Sequence, residues 1–148
     1  MPNTGLLVDP HTKTVTRVNL PASPLEWRPL VGAATLDHAT LRPASIDGIG
    51  VAVVVDDNGM FREDQLFWAF APFPDRVFAG RGLLYEFDIE GETAPGTHLM
   101  SPEQLSHHIL WRDHIEVAGE EVTTDEVEDP ILGRMTRISS HIKFRPKP

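Results

Sequence analysis

Two groups of residues in this chain have the type and spacing to do chemistry. Glu116, Glu120, Glu121, Asp125, Glu126, Glu128 and Asp129 lie between positions 116 and 129 with no Lys or Arg among them. Such a run is commonly a solvated loop, but it can also imitate a phosphate backbone or steer a basic partner through an attraction that salt weakens. On the second reading Glu120, Glu121, Asp125, Glu126, Glu128 and Asp129 form the contact set. Arg134, Arg137, Lys143, Arg145 and Lys147 follow directly, so the two segments could also neutralise one another. The second group is Arg76 with Gly80, Arg81 and Gly82. Glycines let a backbone approach an anion closely and a guanidinium completes a phosphate site. No Gly-x-x-x-x-Gly-Lys motif or dinucleotide fingerprint accompanies them, and a bend leading into a strand at Leu83 explains the same residues.

The remaining candidates fail on spacing. His107, His108, Asp113 and His114 are the densest potential metal ligands. On a continuing helix His107 and His114 would stand roughly 10 Å apart along the axis, too far to share one ion. Asp56-Asp57-Asn58-Gly59, with Glu63 and Asp64 nearby, lacks the alternation of a calcium loop and reads as a tight turn. No serine sits in a Gly-x-Ser-x-Gly elbow. The paired carboxylates lie in polar segments that would leave both ionised. The absence of cysteine excludes disulfides, thiolate metal sites and cysteine nucleophiles. No catalytic residue, metal or cofactor is therefore assigned. Trp68, Phe67 and Phe70 read as core, with a ligand-stacking platform as the alternative.

The chain that must position these residues has 148 amino acids and a formal charge of −9, the size of one soluble domain. Charge is uneven: residues 1–100 carry 7 basic and 13 acidic side chains, residues 101–133 carry 1 and 9, and residues 134–148 carry 5 and none. The apolar run at 51–55 is far shorter than the ~20 residues of a membrane span. The start Met1-Pro2-Asn3-Thr4-Gly5 lacks a secretory pattern, so a cytoplasmic location is expected.

Strands are expected at 6–8 and 14–20, joined as a hairpin, and at 50–55, where Asn58-Gly59 signals a second hairpin. Another is expected at 66–71. The clearest lies at 83–89, where Leu83, Tyr85, Phe87 and Ile89 alternate with mostly polar residues. Ser23-Pro24-Leu25-Glu26 and Ser101-Pro102-Glu103-Gln104 are capping patterns that predict helices at 24–31 and 102–112. Trp27, Leu30 and Val31 should face inward. At the end, Ile138, Ser140, Ile142 and Phe144 alternate with Arg137, Ser139, His141, Lys143 and Arg145, which predicts a strand with a basic stripe. The fold class is α+β: a mostly antiparallel sheet of about 5–7 strands with two short helices on one face. One domain spans 1–148, with a β-rich core over 5–92 and a back third, 97–148, of helix, acidic loop and basic terminal strand.

The front of the chain resembles the small phage and mobile-element proteins grouped as domain of unknown function 3846. Three pieces carry the resemblance: Leu6-Leu7-Val8-Asp9-Pro10 with Lys13-Thr14-Val15-Thr16-Arg17-Val18, then Val55-Asp56-Asp57-Asn58-Gly59, and Phe73-Pro74 with Ala79-Gly80-Arg81-Gly82-Leu83. It covers about residues 5–92 and implies a setting in which small accessory proteins inhibit or redirect host machinery. The expected function is thus a non-catalytic, anti-defence type of accessory protein whose acidic surface binds a host protein or nucleoprotein complex. A nucleotide binder or sponge using Arg76 and Arg81 is one alternative, and a small hydrolase or metal-dependent enzyme another. The net charge disfavours direct contact with nucleic acid, no membrane role is expected, and the apolar strand at 138–144 leaves a homodimer open.

Overall fold

The computed structural model describes residues 2–45, 48–74 and 76–113 in full, and residues 115–129 and 133–146 through their backbone. β1 (Thr4–Asp9) and β2 (Thr14–Asn19) form the expected hairpin, with Thr4 opposite Asn19 and Asp9 opposite Thr14. A 3-10 turn at Pro24–Trp27 leads into α1 (Arg28–Val31), which Gly32 ends in the left-handed conformation at φ 75°. β3 (Leu36–Arg42), β4 (Ile49–Asp56), β5 (Phe67–Phe70), β6 (Val77–Ala79) and β7 (Gly82–Asp88) follow. Then come α2 (Pro102–Ser106), β8 (Ile109–Arg112), β9 (Ile115–Asp129) and β10 (Gly133–Pro146).

The strands form three antiparallel sheets. The largest has the order β2-β1-β7-β4-β3, the second β6-β5-β8, and the third is the β9–β10 pair. Alternation along β1, β4 and β7 places buried side chains on both faces of the large sheet, while its edge strands β2 and β3 are largely exposed. Leu6, Val8, Val53 and Leu84 meet Trp68 and Phe78 of the second sheet together with Leu105 of α2 and Ile109. Val54 and Leu83 meet Leu20, Trp27 and Val31 from the segment around α1. The α+β class with antiparallel sheet dominant therefore holds. The strands divide among three sheets, and the two helices pack into different clusters, on opposite faces of the large sheet.

Three further expectations are corrected. The second helix stops at Ser106, and Ile109–Arg112 is a strand whose Trp111 stands opposite Trp68. Ile109 and Trp111 favour a pleated surface, and β5 supplies the edge they pair with. The acidic run is not a loop, because β9 covers Ile115–Asp129 with Val117, Val122, Thr123, Thr124 and Val127 spaced along it. The Asn58-Gly59 hairpin is absent. Asn58 keeps φ at −104°, the Asp56 Oδ1 accepts the Asn58 amide at 2.9 Å, and Gly59 opens a 3-10 turn, so β4 pairs with β3 and β7 instead. β3 and β6 are strands with no expectation behind them. Among the described residues no helix is long and apolar enough to cross a membrane.

Candidate functional site

The acidic residues are positioned by the register of β9 on β10. Asp125 stands opposite Arg137, Glu128 opposite Arg134, Glu121 opposite His141 and Glu116 opposite Arg145. Directly opposed positions are those at which unlike charges stabilise an antiparallel pair and like charges destabilise it. Glu120, Glu126 and Asp129 stand opposite Ile142, Thr136 and Gly133, with no opposing cation. A shift in register between Lys143 and Phe144 passes Ala118 and marks a bulge. The hairpin carries seven carboxylates and four Lys or Arg, a formal charge of −3. Its basic strand thus opposes part of the acidic set and leaves part unopposed.

Around Gly80-Arg81-Gly82 the structure builds a tight strand start. The Trp68 indole N–H donates to the Gly80 carbonyl at 2.9 Å, and the Gly80 amide donates to Leu66 O at 2.9 Å. A β-carbon on Gly82 would overlap the Trp68 ring, so glycine there answers a close approach of core to backbone. Arg81 Nε donates to Asp9 Oδ2 at 3.3 Å. Arg76 lies over the Phe78 ring, 5.8 Å from its centre. The two arginines flank β6 and engage different residues, Phe78 and Asp9. Trp68 is fully buried, stacked on Phe78 at 4.7 Å and edge-on to Phe70 at 5.2 Å. The aromatic group is core.

Several polar groups that sequence reasoning passed over are more tightly organised. At the end of the large sheet, Asp9 Oδ1 accepts the His11 amide at 2.9 Å and the His11 ring meets Gln65 Oε1 at 3.3 Å. Gln65 Nε2 in turn donates to Gly59 O at 2.9 Å. The nearly buried Asp56 carboxylate accepts from Arg62 Nε as well as the Asn58 amide. Elsewhere Glu86, 1 % exposed, accepts the His98 amide at 2.9 Å through Oε1, with the exposed His98 ring 3.6 Å from Oε2. The Tyr85 hydroxyl meets His38 Nδ1 at 3.2 Å, and burial pushes its phenol above the ordinary value. The available signal for the first of these was the Asp9-Pro10-His11 turn, where aspartate is favoured for bonding the amide two residues on.

These arrangements fasten loops to strands. His107 caps the end of α2 and the His108 carbonyl accepts the Ala71 amide at 2.8 Å, whereas His114 lies outside the described residues. Among the described residues no group of three His, Asp or Glu side chains is placed to hold a metal ion. Compared with known proteins, the chain matches no family model, no curated relative and no solved structure.

Proposed function

We propose that this chain is a non-catalytic binding protein that engages a basic surface of a host protein or nucleoprotein complex, inhibiting or redirecting it, through its β9–β10 hairpin. The observation that supports the reading is the register: Glu120, Glu126 and Asp129 have no cation opposite them. Asp125 and Glu128 stand opposite Arg137 and Arg134, and Glu121 opposite the His141 imidazole, so the contact set centres on the first three. A short hairpin is marginal alone, and a pair of 15 and 14 residues that forms its own sheet gains stability from whatever it meets.

The test is capture of host proteins on the immobilised full chain at low and high salt. It is repeated with the triple variant Glu120→Lys, Glu126→Lys, Asp129→Lys and with Asp125→Asn as control. Salt-sensitive capture that the triple variant loses and the control retains, with far-ultraviolet circular dichroism unchanged, meets the expectation. Equal capture by parent and triple variant refutes it.

A further inference from the structure

The turn Gly59–Phe61 holds its phenylalanine out of the protein: Phe61 is 85 % exposed, and Met60 beside it is partly exposed. Single exposed apolar residues are ordinary. This one stands on an unusually well-fastened loop. Asp56 takes the Arg62 Nε and the Asn58 amide, Gln65 donates to Gly59 O, and the Phe61 amide donates to Asn58 O at 3.1 Å. The Asp57 amide and the Asn58 side chain both bond Thr35, at 3.1 and 3.3 Å. A side chain presented this way has little loop entropy left to lose on binding.

Beside α1 lies a shallow groove, largely open to solvent, of about 460 Å³ and lined by Leu25, Arg28, Pro29, Gly32, Ala33 and Ala34. Glycine and alanine keep its floor low. Gly32 also needs its left-handed φ, and the Arg81 Nη1 lies 3.8 Å from where a β-carbon on it would sit. Two guanidiniums therefore border the groove. Arg28 donates through Nε to Leu25 O, and Arg81 donates through Nε to Asp9 Oδ2 at 3.3 Å, an ion pair that offsets part of its charge. The knob carries the opposite charge: Asp57, Glu63 and Asp64 are exposed around Phe61, and Arg62 is taken up by Asp56.

Thr35, which bonds Asp57 and Asn58 of the knob loop, follows Ala34 of the groove directly, so the two features are tied together through that residue. Complementary features on one chain are what a two-fold axis needs to satisfy both at once. We propose that two copies of this chain associate reciprocally, Phe61 of each entering the α1 groove of the other, with Asp57, Glu63 and Asp64 facing Arg28 and Arg81 across the contact. A membrane is the wrong occupant for the knob, because anionic headgroups repel the three carboxylates beside Phe61.

Sedimentation velocity over a concentration series of the full chain tests it. The parent should dimerise, less strongly at high salt. Phe61→Ala removes two buried rings per dimer and should weaken association by about a hundredfold or more; Ala34→Glu, at an exposed position in the groove, should do the same. An equimolar mixture of the two variants retains one good knob and one good groove and should recover a heterodimer weaker than the parent dimer. Glu120→Lys with Glu126→Lys and Asp129→Lys should leave the dimer intact. A parent that stays monomeric at every concentration, a Phe61→Ala dimer as strong as the parent's, or a mixture without heterodimer overturns the proposal. If the parent stays monomeric yet a foreign protein is captured in a Phe61-dependent way, the knob serves that protein and the reciprocal contact is refuted.

Discussion

Trp68→Phe removes one hydrogen bond and part of one ring from the layer where the two larger sheets meet. The indole N–H is the donor to the Gly80 carbonyl in a fully buried setting, and a phenyl ring leaves that carbonyl unpaired at a cost of about 1–3 kcal/mol. The smaller ring also leaves space against Phe78 and Gly82, adding about 1 kcal/mol. The expected loss is about 2–4 kcal/mol, or roughly 6–12 °C in melting temperature for a chain of this size. Urea and thermal unfolding followed by far-ultraviolet circular dichroism measure it. Trp27→Phe is the comparison: its N–H donates to Pro21 O at 2.8 Å, but Pro21 is only half-buried and water can replace the donor, so about 1–2 kcal/mol is expected. If Trp68→Phe costs under about 0.5 kcal/mol, or no more than Trp27→Phe, the indole bond does not organise the Gly80-Arg81-Gly82 turn and the close-approach account of Gly82 fails with it.

Four further outcomes follow from the same geometry. Tyr85 is the chain's only tyrosine, so an ultraviolet titration reads it alone. Because burial raises its folded pKa, its contribution to stability is complete below pH about 10 and is lost as pH rises through the raised value; Tyr85→Phe should abolish that alkaline loss. Ser101→Ala breaks a capping box in which Ser101 Oγ accepts the Gln104 amide at 3.2 Å and Gln104 Oε1 accepts the Ser101 amide at 3.1 Å. A cost of about 0.5–2 kcal/mol in urea unfolding is expected, whereas Ser23→Ala, at a cap without a side-chain bond, should cost less. Gly82→Ala should destabilise by about 1–3 kcal/mol through overpacking against Trp68. Asp56→Ala should cost about 1–2 kcal/mol, because Arg62 is half-exposed and its ion pair screened, and should speed amide exchange at residues 57–62.

The parts of the fold legible in the sequence are those whose pattern is local. β1 and β2 follow from the turn between them, β4 from its run of valines and β7 from alternation. The two Ser-Pro-x-Glu/Gln patterns show where that stops. Ser101 forms the full capping box, whereas after Ser23 the chain makes a 3-10 bond from the Glu26 amide to Ser23 O, and Pro29 follows within the first turn of α1. What decided β8 was a distant strand: Trp111 has its register partner in Trp68, and nothing near Ser106 announces it. Charge concealed β9, since its carboxylates drew attention from the valines and threonines between them. As for the sites, the carboxylates were visible, but which of them stand opposite a cation is fixed only by a pairing whose bulge passes Ala118. The knob and groove were not legible at all, because the link between them runs through Thr35, next to Ala34, and its bonds to Asp57 and Asn58.

The position of β7 bears on how the molecule comes off the ribosome. Hairpins β1–β2 and β3–β4 are each closed by a short connection and are complete by Asp56, yet they do not pair with each other; β7 lies between them. Until translation has delivered Asp88, the nascent polypeptide holds two amphipathic ribbons with raw inner edges and no means of joining them. Zipping the last arrival into the middle makes assembly wait on long-range closure, which is slow relative to local pairing, and makes the emerging chain depend on whatever shields those edges in the interval.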